Sequence, residues 1–362
     1  MTVILFLIIL GALVFVHELG HFIAAKKAGI RVDEFALGFP PKIVAKKVGE
    51  TTYSLNLVPF GGYVKIFGED GEVAADSPAD EKRSFGRKSK WIQAAVLASG
   101  VFGNIIFAWL LISASFAIGI PSSAEGRYAD SVRDPVVTVT SVIADSPADR
   151  AGLRQGDEII SLADGTKTYE GTDAEDARAF IADSAGPISV HYRRGDSVQV
   201  LDVEPAEGIV EGKIAIGVRL DAVGVVQLSV SRSLYEGVLT AVDLLREVTL
   251  GLFGFIREAV MGKADLESIA GPVGIAGLVG EARHLGLVYI LSFTAFISIN
   301  LAVINLLPIP ALDGGRLLFL AIEGATRRTI PAKVSRTVNT VGFVLLILFM
   351  LFITYRDILK LL

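Results

Sequence analysis

The sequence predicts a multi-pass α-helical membrane protein with four transmembrane helices, β-hairpin loops on the cytoplasmic side and one inserted α+β domain. Of its 362 residues 52% are hydrophobic, and the mean hydropathy of +0.56 is higher than that of an ordinary water-soluble chain. Four stretches stay apolar over the roughly 20 residues that a bilayer-crossing helix needs. Between the second and the third the composition turns polar, with the period-two alternation that suits strands. The net charge of −5 gives no reason to expect nucleic acid as a partner, and the lack of cysteine excludes disulfides and thiolate metal sites.

The N-terminal membrane half is expected over residues 1–120. Its first span, about 2–25, has no basic side chain at its start and is followed by Lys26 and Lys27. A secretory leader carries its charges the other way round, so an uncleaved helix is expected. The excess of basic residues in cytoplasmic loops then places the N-terminus outside and the lysines in the cytoplasm. Residues 28–90 contain ALGFPPKIV and NLVPFGGYVKIFGE, with strand-like alternation in TYSLNLV and YVKIF, and ADSPADEKRSFGRKSK reads as an exposed loop. The second span covers about 91–120.

Residues 121–206 form the inserted domain, expected on the extracytoplasmic side. VVTVTSV, EIISLA, ISVHYRR and VQVLDV suit strands, and DAEDARAFIADS suits a helix with acidic residues in its first turn. Residues 207–284 add a strand, GKIAIGVRL, and an amphipathic helix within 233–262. That helix holds too many charges to span and is expected at the membrane interface. LESIAGPVGIAGLVG reads as a small-residue loop. The C-terminal membrane half, 285–362, holds a third span broken by the prolines of LLPIPALDGGRLL, a basic loop, and a fourth span at about 338–356. Both termini are thereby expected outside.

Three ionisable groups interrupt the first span in HELGH, that is His-Glu-x-x-His. On a helix, residues four apart lie on one face, so His17 and His21 can share one metal ion. Glu18 is rotated by about 100° from His17 and can flank a water as a base without ligating. Catalytic zinc usually takes a third protein ligand. His191 and His284 read as ordinary surface residues, whereas Asp313 is the sole carboxylate between Glu281 and Glu323. A charge at membrane depth is costly without a partner, and a divalent cation is such a partner. The ligand types admit other divalent metals besides zinc. A protease facing water, an inactive membrane scaffold and a metal transporter are rival readings of these residues.

HELGH in the first span, SGVFGN in the second and NLLPIPALDGG after the third together resemble the site-2 protease family of intramembrane zinc metalloproteases, in its RseP-type branch. The likeness extends to PFGGYVKIFGE and AGPVGI. SVIADSPADRAGLRQGDEIISLADG resembles a PDZ domain of the bacterial protease type, present here once. The resemblance implies a zinc metalloendopeptidase with one Zn2+ per chain held by His17, His21 and Asp313, and with Glu18 as general base. Asn305 and Pro308 match the family's N-x-x-P-x-x-x-LDG pattern, where they help hold substrate backbone, and Gly61, Gly62 and Tyr63 match a loop that clamps unwound substrate. It further implies a bacterial inner-membrane location and substrates that are single-span membrane proteins, such as anti-sigma factors or signal-peptide remnants, trimmed first by a site-1-type protease. The PDZ module would sense a new chain end or exclude bulky ectodomains.

Overall fold

A computed structural model of the chain describes residues 1–69, 81–184, 186–195, 197–210, 213–263 and 269–360. The chain divides into two compact units, one made of Met1–Ser115 with Val230–Leu362 and the other of Phe116–Ser229.

In the first unit four helices are long and apolar enough to cross a membrane: α1 (Thr2–Lys27), α2 (Lys90–Ile118), α7 (Leu287–Leu306) and α9 (Ala332–Lys360). Most of their apolar surface is open; along α9 Phe343, Leu345, Leu348 and Phe352 are all exposed. Lipid covers such a surface at no cost, whereas water does not. α1 closes with Lys26 and Lys27 in its last turn, where positive charge suits the helix dipole. α7 ends because Pro308 pushes Leu307 into an extended conformation, ψ 143°.

Between α1 and α2, strands β1 (Val32–Val48) and β2 (Thr51–Ile66) pair antiparallel in two registers. Residues 42–48 of β1 pair with 51–56 of β2 and residues 34–37 pair with 62–65, both antiparallel, while 34–37 also run alongside 52–55 in the same direction. The sheet is held to the end of α1 by aromatic contacts of Phe22 with Phe35 and Tyr53. Residues 70–74 and 75–80, the latter being the start of the expected exposed loop ADSPADEKRSFGRKSK, lie outside the described residues. In the remainder Lys82, Gly86, Arg87, Ser89 and Lys90 are exposed, while Phe85 is buried with Ala25, Ile30, Val32, Ile66, Val96 and Leu97 and anchors the connection.

The second unit is built on a seven-stranded sheet. Its strands are β3 (Ile120–Ser123), β4 (Val132–Val142), β5 (Glu158–Ala163), β6 (Thr168–Tyr169), β7 (Ile188–Arg194), β8 (Ser197–Val203) and β11 (Val218–Val226), ordered β3-β11-β4-β5-β7-β8 with β6 on β5. Strands β9 (Ala206–Val210) and β10 (Lys213–Ala215) pair separately. Helix α3 (Pro147–Ala151) starts from Ser146, whose hydroxyl accepts the Asp149 N–H, and stops at Gly152 with φ +96°. Helix α4 (Ala174–Asp183) is capped by the Asp173 carboxylate on the N–H groups of Glu175 and Asp176. Val137, Val139, Ile159, Leu162, Ile181 and Val190 fill the core.

Two expectations need correction. The domain boundary expected at 206 is too early, because β11 inserts between β3 and β4 and carries the buried Leu220. That unit runs from Phe116 to Ser229, its ends tied by Leu228 N–H donating to Phe116 O at 2.9 Å. The small-residue segment around AGPVGI is not a loop: after the amphipathic helix α5 (Val230–Val260), residues Pro272–Leu285 form α6. Pro272 fits the first helical position, and the buried Asp357 carboxylate accepts the Gly274 N–H at 2.7 Å, which offsets the poor propensity of three glycines. Residues 266–268 of the expected loop lie outside the described residues.

Candidate metal centre

The buried residues of α1 are Ile9, Leu13, His17, His21 and Ala25, one every four positions, so both histidines lie on a single stripe. α2 packs there at backbone contact. A Cβ on Gly20 would lie 2.2 Å from the Ser99 carbonyl oxygen, and one on Gly103 2.8 Å from that of Val16. Only glycine permits such an approach. The close crossing brings the Val96 carbonyl to 2.8 Å from His21 Nδ1. Nδ1 therefore donates, and Nε2 keeps its lone pair facing the site.

Asp313 arrives from the other half of the unit as the first residue of helix α8 (Asp313–Thr326). A Cβ on Gly314 would meet the Leu307 carbonyl oxygen at 2.1 Å, and one on Gly315 that of Ile309 at 2.2 Å. The LDGG sequence thus lets the chain after α7 fold tightly over the first turn of α8, and Leu317 and Leu320 seat that helix against the Ala25–Val96–Leu97 cluster.

These elements converge on one point. His17 Nε2 lies 3.0 Å and His21 Nε2 3.3 Å from Asp313 Oδ2, and the two Nε2 atoms are 3.3 Å apart. Tetrahedral ligands at zinc distances of about 2.0–2.1 Å stand about 3.3 Å from one another, so the triangle has the size of one ion's coordination edge. Asp313 Oδ2 is buried and has no hydrogen-bond donor, which is costly unless a cation supplies the partner. Space for that partner is kept by Gly100: a Cβ there would lie 2.3 Å from His21 Nε2 and 2.8 Å from His17 Nε2. Among the described residues His17, His21 and Asp313 are the only such donor cluster. The residues fit a zinc ion.

Glu18 stands beside this group, half-buried, with its carboxylate accepting the backbone N–H of Val64 in β2. Gly62 meets it directly, since a Cβ on Gly62 would touch Glu18 Cγ at 3.3 Å and Val14 Cγ1 at 2.9 Å. Gly61 has φ +119° and packs against the Phe39 ring. Tyr63 does not face the metal group; its hydroxyl bonds Glu34 and Asn56, and burial with the Glu34 charge nearby pushes its pKa up. Asn305 is half-buried in the last turn of α7 and Pro308 is exposed just beyond it, one loop before Asp313. His284 is exposed and His191 half-exposed on β7, and neither belongs to the cluster. Sequence reasoning missed Gly100 and the Val96 carbonyl. Their signal is the i, i+4 spacing of Val96, Gly100 and Asn104 along α2, which mirrors the spacing of the two histidines.

The chain matches the description "Peptidase family M50" over residues 5–349. It is 37% identical over 366 residues to a Clostridium perfringens protein assigned by name to the zinc metalloproteases, covering 99% of this chain and 98% of the relative. It is 31% identical over 438 residues to the regulator of sigma-W protease RasP of Bacillus subtilis, with 99% of each covered, and 30% identical over 424 residues to the zinc metalloprotease RasP of Geobacillus kaustophilus, with 99% and 98% covered. Four spans of membrane-crossing length, a three-ligand group of zinc dimensions and a glutamate next to it agree with these likenesses. The chain belongs to peptidase family M50, the site-2 proteases, and is a membrane-embedded zinc metalloprotease.

Proposed function

We propose that the chain cuts peptide bonds within transmembrane helices of single-span membrane proteins that another protease has already trimmed, anti-sigma factors or signal-peptide remnants being the fitting types. The observation that carries this is the convergence of His17, His21 and Asp313 next to Glu18 on a helix of membrane-spanning length. In this reading those three residues hold Zn2+. When bound, zinc polarises the scissile carbonyl and lowers the pKa of water to about 7. Glu18 takes the proton of the attacking water and returns it to the leaving amine. Asn305 and Pro308 before Asp313, and the Gly61-Gly62-Tyr63 segment beside Glu18, hold an unwound stretch of substrate in extended form by pairing with its backbone. Both glycines leave that segment without side chains where it passes α1, which gives a substrate strand room next to the base.

The same reading puts both termini and the sheet unit on the extracytoplasmic side of a bacterial inner membrane, with the basic loops in the cytoplasm. The sheet unit acts as a PDZ module; the capped SPADRAG helix and the Asp157 carboxylate, which accepts from Arg194 at 2.7 Å and from the Arg154 N–H at 2.8 Å, support that assignment. It gates access by sensing a freshly cut end or by excluding bulky ectodomains, and α5 lies at the membrane interface.

The test is cleavage of a single-span substrate peptide by the purified full-length protein and its Glu18→Gln form, with zinc content measured for both. Loss of a positioned acid–base group costs 10²–10⁴-fold in rate. The expected result is one zinc per chain in both proteins and a cleavage rate lower by at least about 100-fold in E18Q. Equal rates would sink the assignment of Glu18, and no cleavage by the native protein under zinc-loaded conditions would sink the substrate class.

A further inference from the structure

Asn104 is fully buried in α2, and its side chain does not pack as a spectator. Its amide meets His17 Nδ1 at 3.4 Å, and its Oδ1 has no hydrogen-bond donor. Its backbone carbonyl is occupied, accepting the Ser298 hydroxyl of α7 at 2.8 Å, which fixes this turn of α2 in place. For His17 to present a bare Nε2 to a metal, the ring must carry its proton on Nδ1. An Nδ1–H facing an amide NH2 sets donor against donor. Amide nitrogen and oxygen occupy nearly the same volume, so half a turn about the Asn104 Cβ–Cγ bond puts Oδ1 where it accepts that proton. The arrangement then matches that of His21, whose Nδ1 is held by the Val96 carbonyl eight residues earlier on the same face of α2.

We propose that Asn104 is a positioning residue for the metal centre: its amide oxygen accepts the Nδ1 proton of His17, fixing the tautomer and ring orientation in which Nε2 binds the ion. The inference rests on His17 and His21 being zinc ligands. A carboxylate or carbonyl on the second nitrogen of a metal-bound imidazole tightens metal binding by about 10–100-fold. α2 thus supplies both histidines with their outer partners, one from the backbone and one from a side chain. The SGVFGN segment thereby does two jobs, with Gly100 keeping the space for the ion and Asn104 aiming a ligand into it.

The experiment measures zinc affinity by chelator competition on the full-length protein in detergent, together with the visible absorption of the Co2+-loaded form. Asn104→Leu keeps the volume and removes the acceptor, and Asn104→Asp keeps an acceptor at the same place. The expected order is wild type and N104D alike, with N104L weaker by 10–100-fold and its cobalt bands shifted. A packing role gives the opposite order, with leucine tolerated and the buried charge not, and that result overturns the proposal. So does N104L binding zinc as tightly as wild type. His17→Ala is measured alongside: if it binds like wild type, the ligand assignment itself is wrong, which separates the two failures. Should N104L not elute as a folded monodisperse protein, N104D decides alone, since zinc binding by N104D weaker than wild type by tenfold or more refutes an acceptor role.

Discussion

Gly100 shows how much of a metal centre can rest on an atom that is missing. A Cβ at that position would meet ring atoms of both histidines at under 3 Å, and those atoms are the donors themselves. Within a helix, Gly→Ala ordinarily stabilises by about 1 kcal/mol. Here the two effects separate. Gly100→Ala is expected to leave the helix intact while zinc content falls well below one per chain by elemental analysis. Gly11→Ala, on the same span as the histidines but with nothing within 4 Å of its added carbon, is the control and keeps its zinc. Full zinc occupancy in G100A would show that the space beside the imidazoles is not the ion's. At this scale the grouping of His17, His21 and Asp313 was legible in the sequence, because His-Glu-x-x-His has meaning on any helix and Asp313 stood alone in apolar surroundings. Gly100 was not legible as a site residue: what a glycine leaves room for depends on which helix crosses it.

The hairpin between α1 and α2 is tied to the span that carries the histidines by charge as well as by aromatic packing. Glu50, in the β1–β2 turn, accepts from Arg83 at 2.7 Å and from Lys26 at 2.5 Å, and these cations, Arg83 first, hold its pKa down at about 2 from 4.5. A depressed carboxylate contributes its stabilisation in full above its unfolded value of about 4.5. That contribution is lost as the pH falls through about 2. With Glu50 about a third exposed, solvent screening keeps the contribution below roughly 1 kcal/mol. Amide exchange of residues 42–56, corrected for its intrinsic pH dependence, should therefore be slower in the native protein than in Glu50→Gln near pH 6, with the two converging towards pH 2.5. A gap that stays constant over that range would exclude Glu50 as the tether. Elements were unevenly legible. The four spans and the helix α4 followed from local rules, namely apolar length and an acidic first turn, whereas α3 was not legible from local rules although Ser146 and Gly152 bound it. α6 did not follow from them either, because its supports are remote in sequence: Asp357, 83 positions from Gly274, and the α1 residues Ile9 and Leu13 that bury Val279. The place of β11 in the sheet was likewise hidden, since its partners β3 and β4 precede it by a whole domain.

At the scale of the whole molecule the difficulty is physical. The spans expose apolar surface that suits lipid, while the three ligands are buried or half-buried within the bundle. A substrate that is itself a transmembrane helix keeps its carbonyls in i to i−4 hydrogen bonds, and in hydrocarbon no water competes for them. A carbonyl can reach the site only if the substrate unwinds locally, and the unwinding free energy adds to the barrier for cutting. In the proposed function the Gly61-Gly62 segment beside Glu18 would offer replacement backbone partners, which would lower that cost without removing it. Helix propensity near the cut should then set the rate. Leucine favours helix over glycine by about 0.8 kcal/mol per residue and over proline by about 3. Replacing two glycines flanking the cut by leucine should slow cleavage by roughly tenfold, at about 1.4 kcal/mol per factor of ten. The measurement is the initial rate with zinc-saturated protein in proteoliposomes, analysed as kcat and KM separately, because added leucines also alter partition into the bilayer. A fall in kcat at similar KM is the expected signature; unchanged kcat would mean that substrate reaches Glu18 already unwound, and the polar hairpin would then serve some other purpose than holding open a helix.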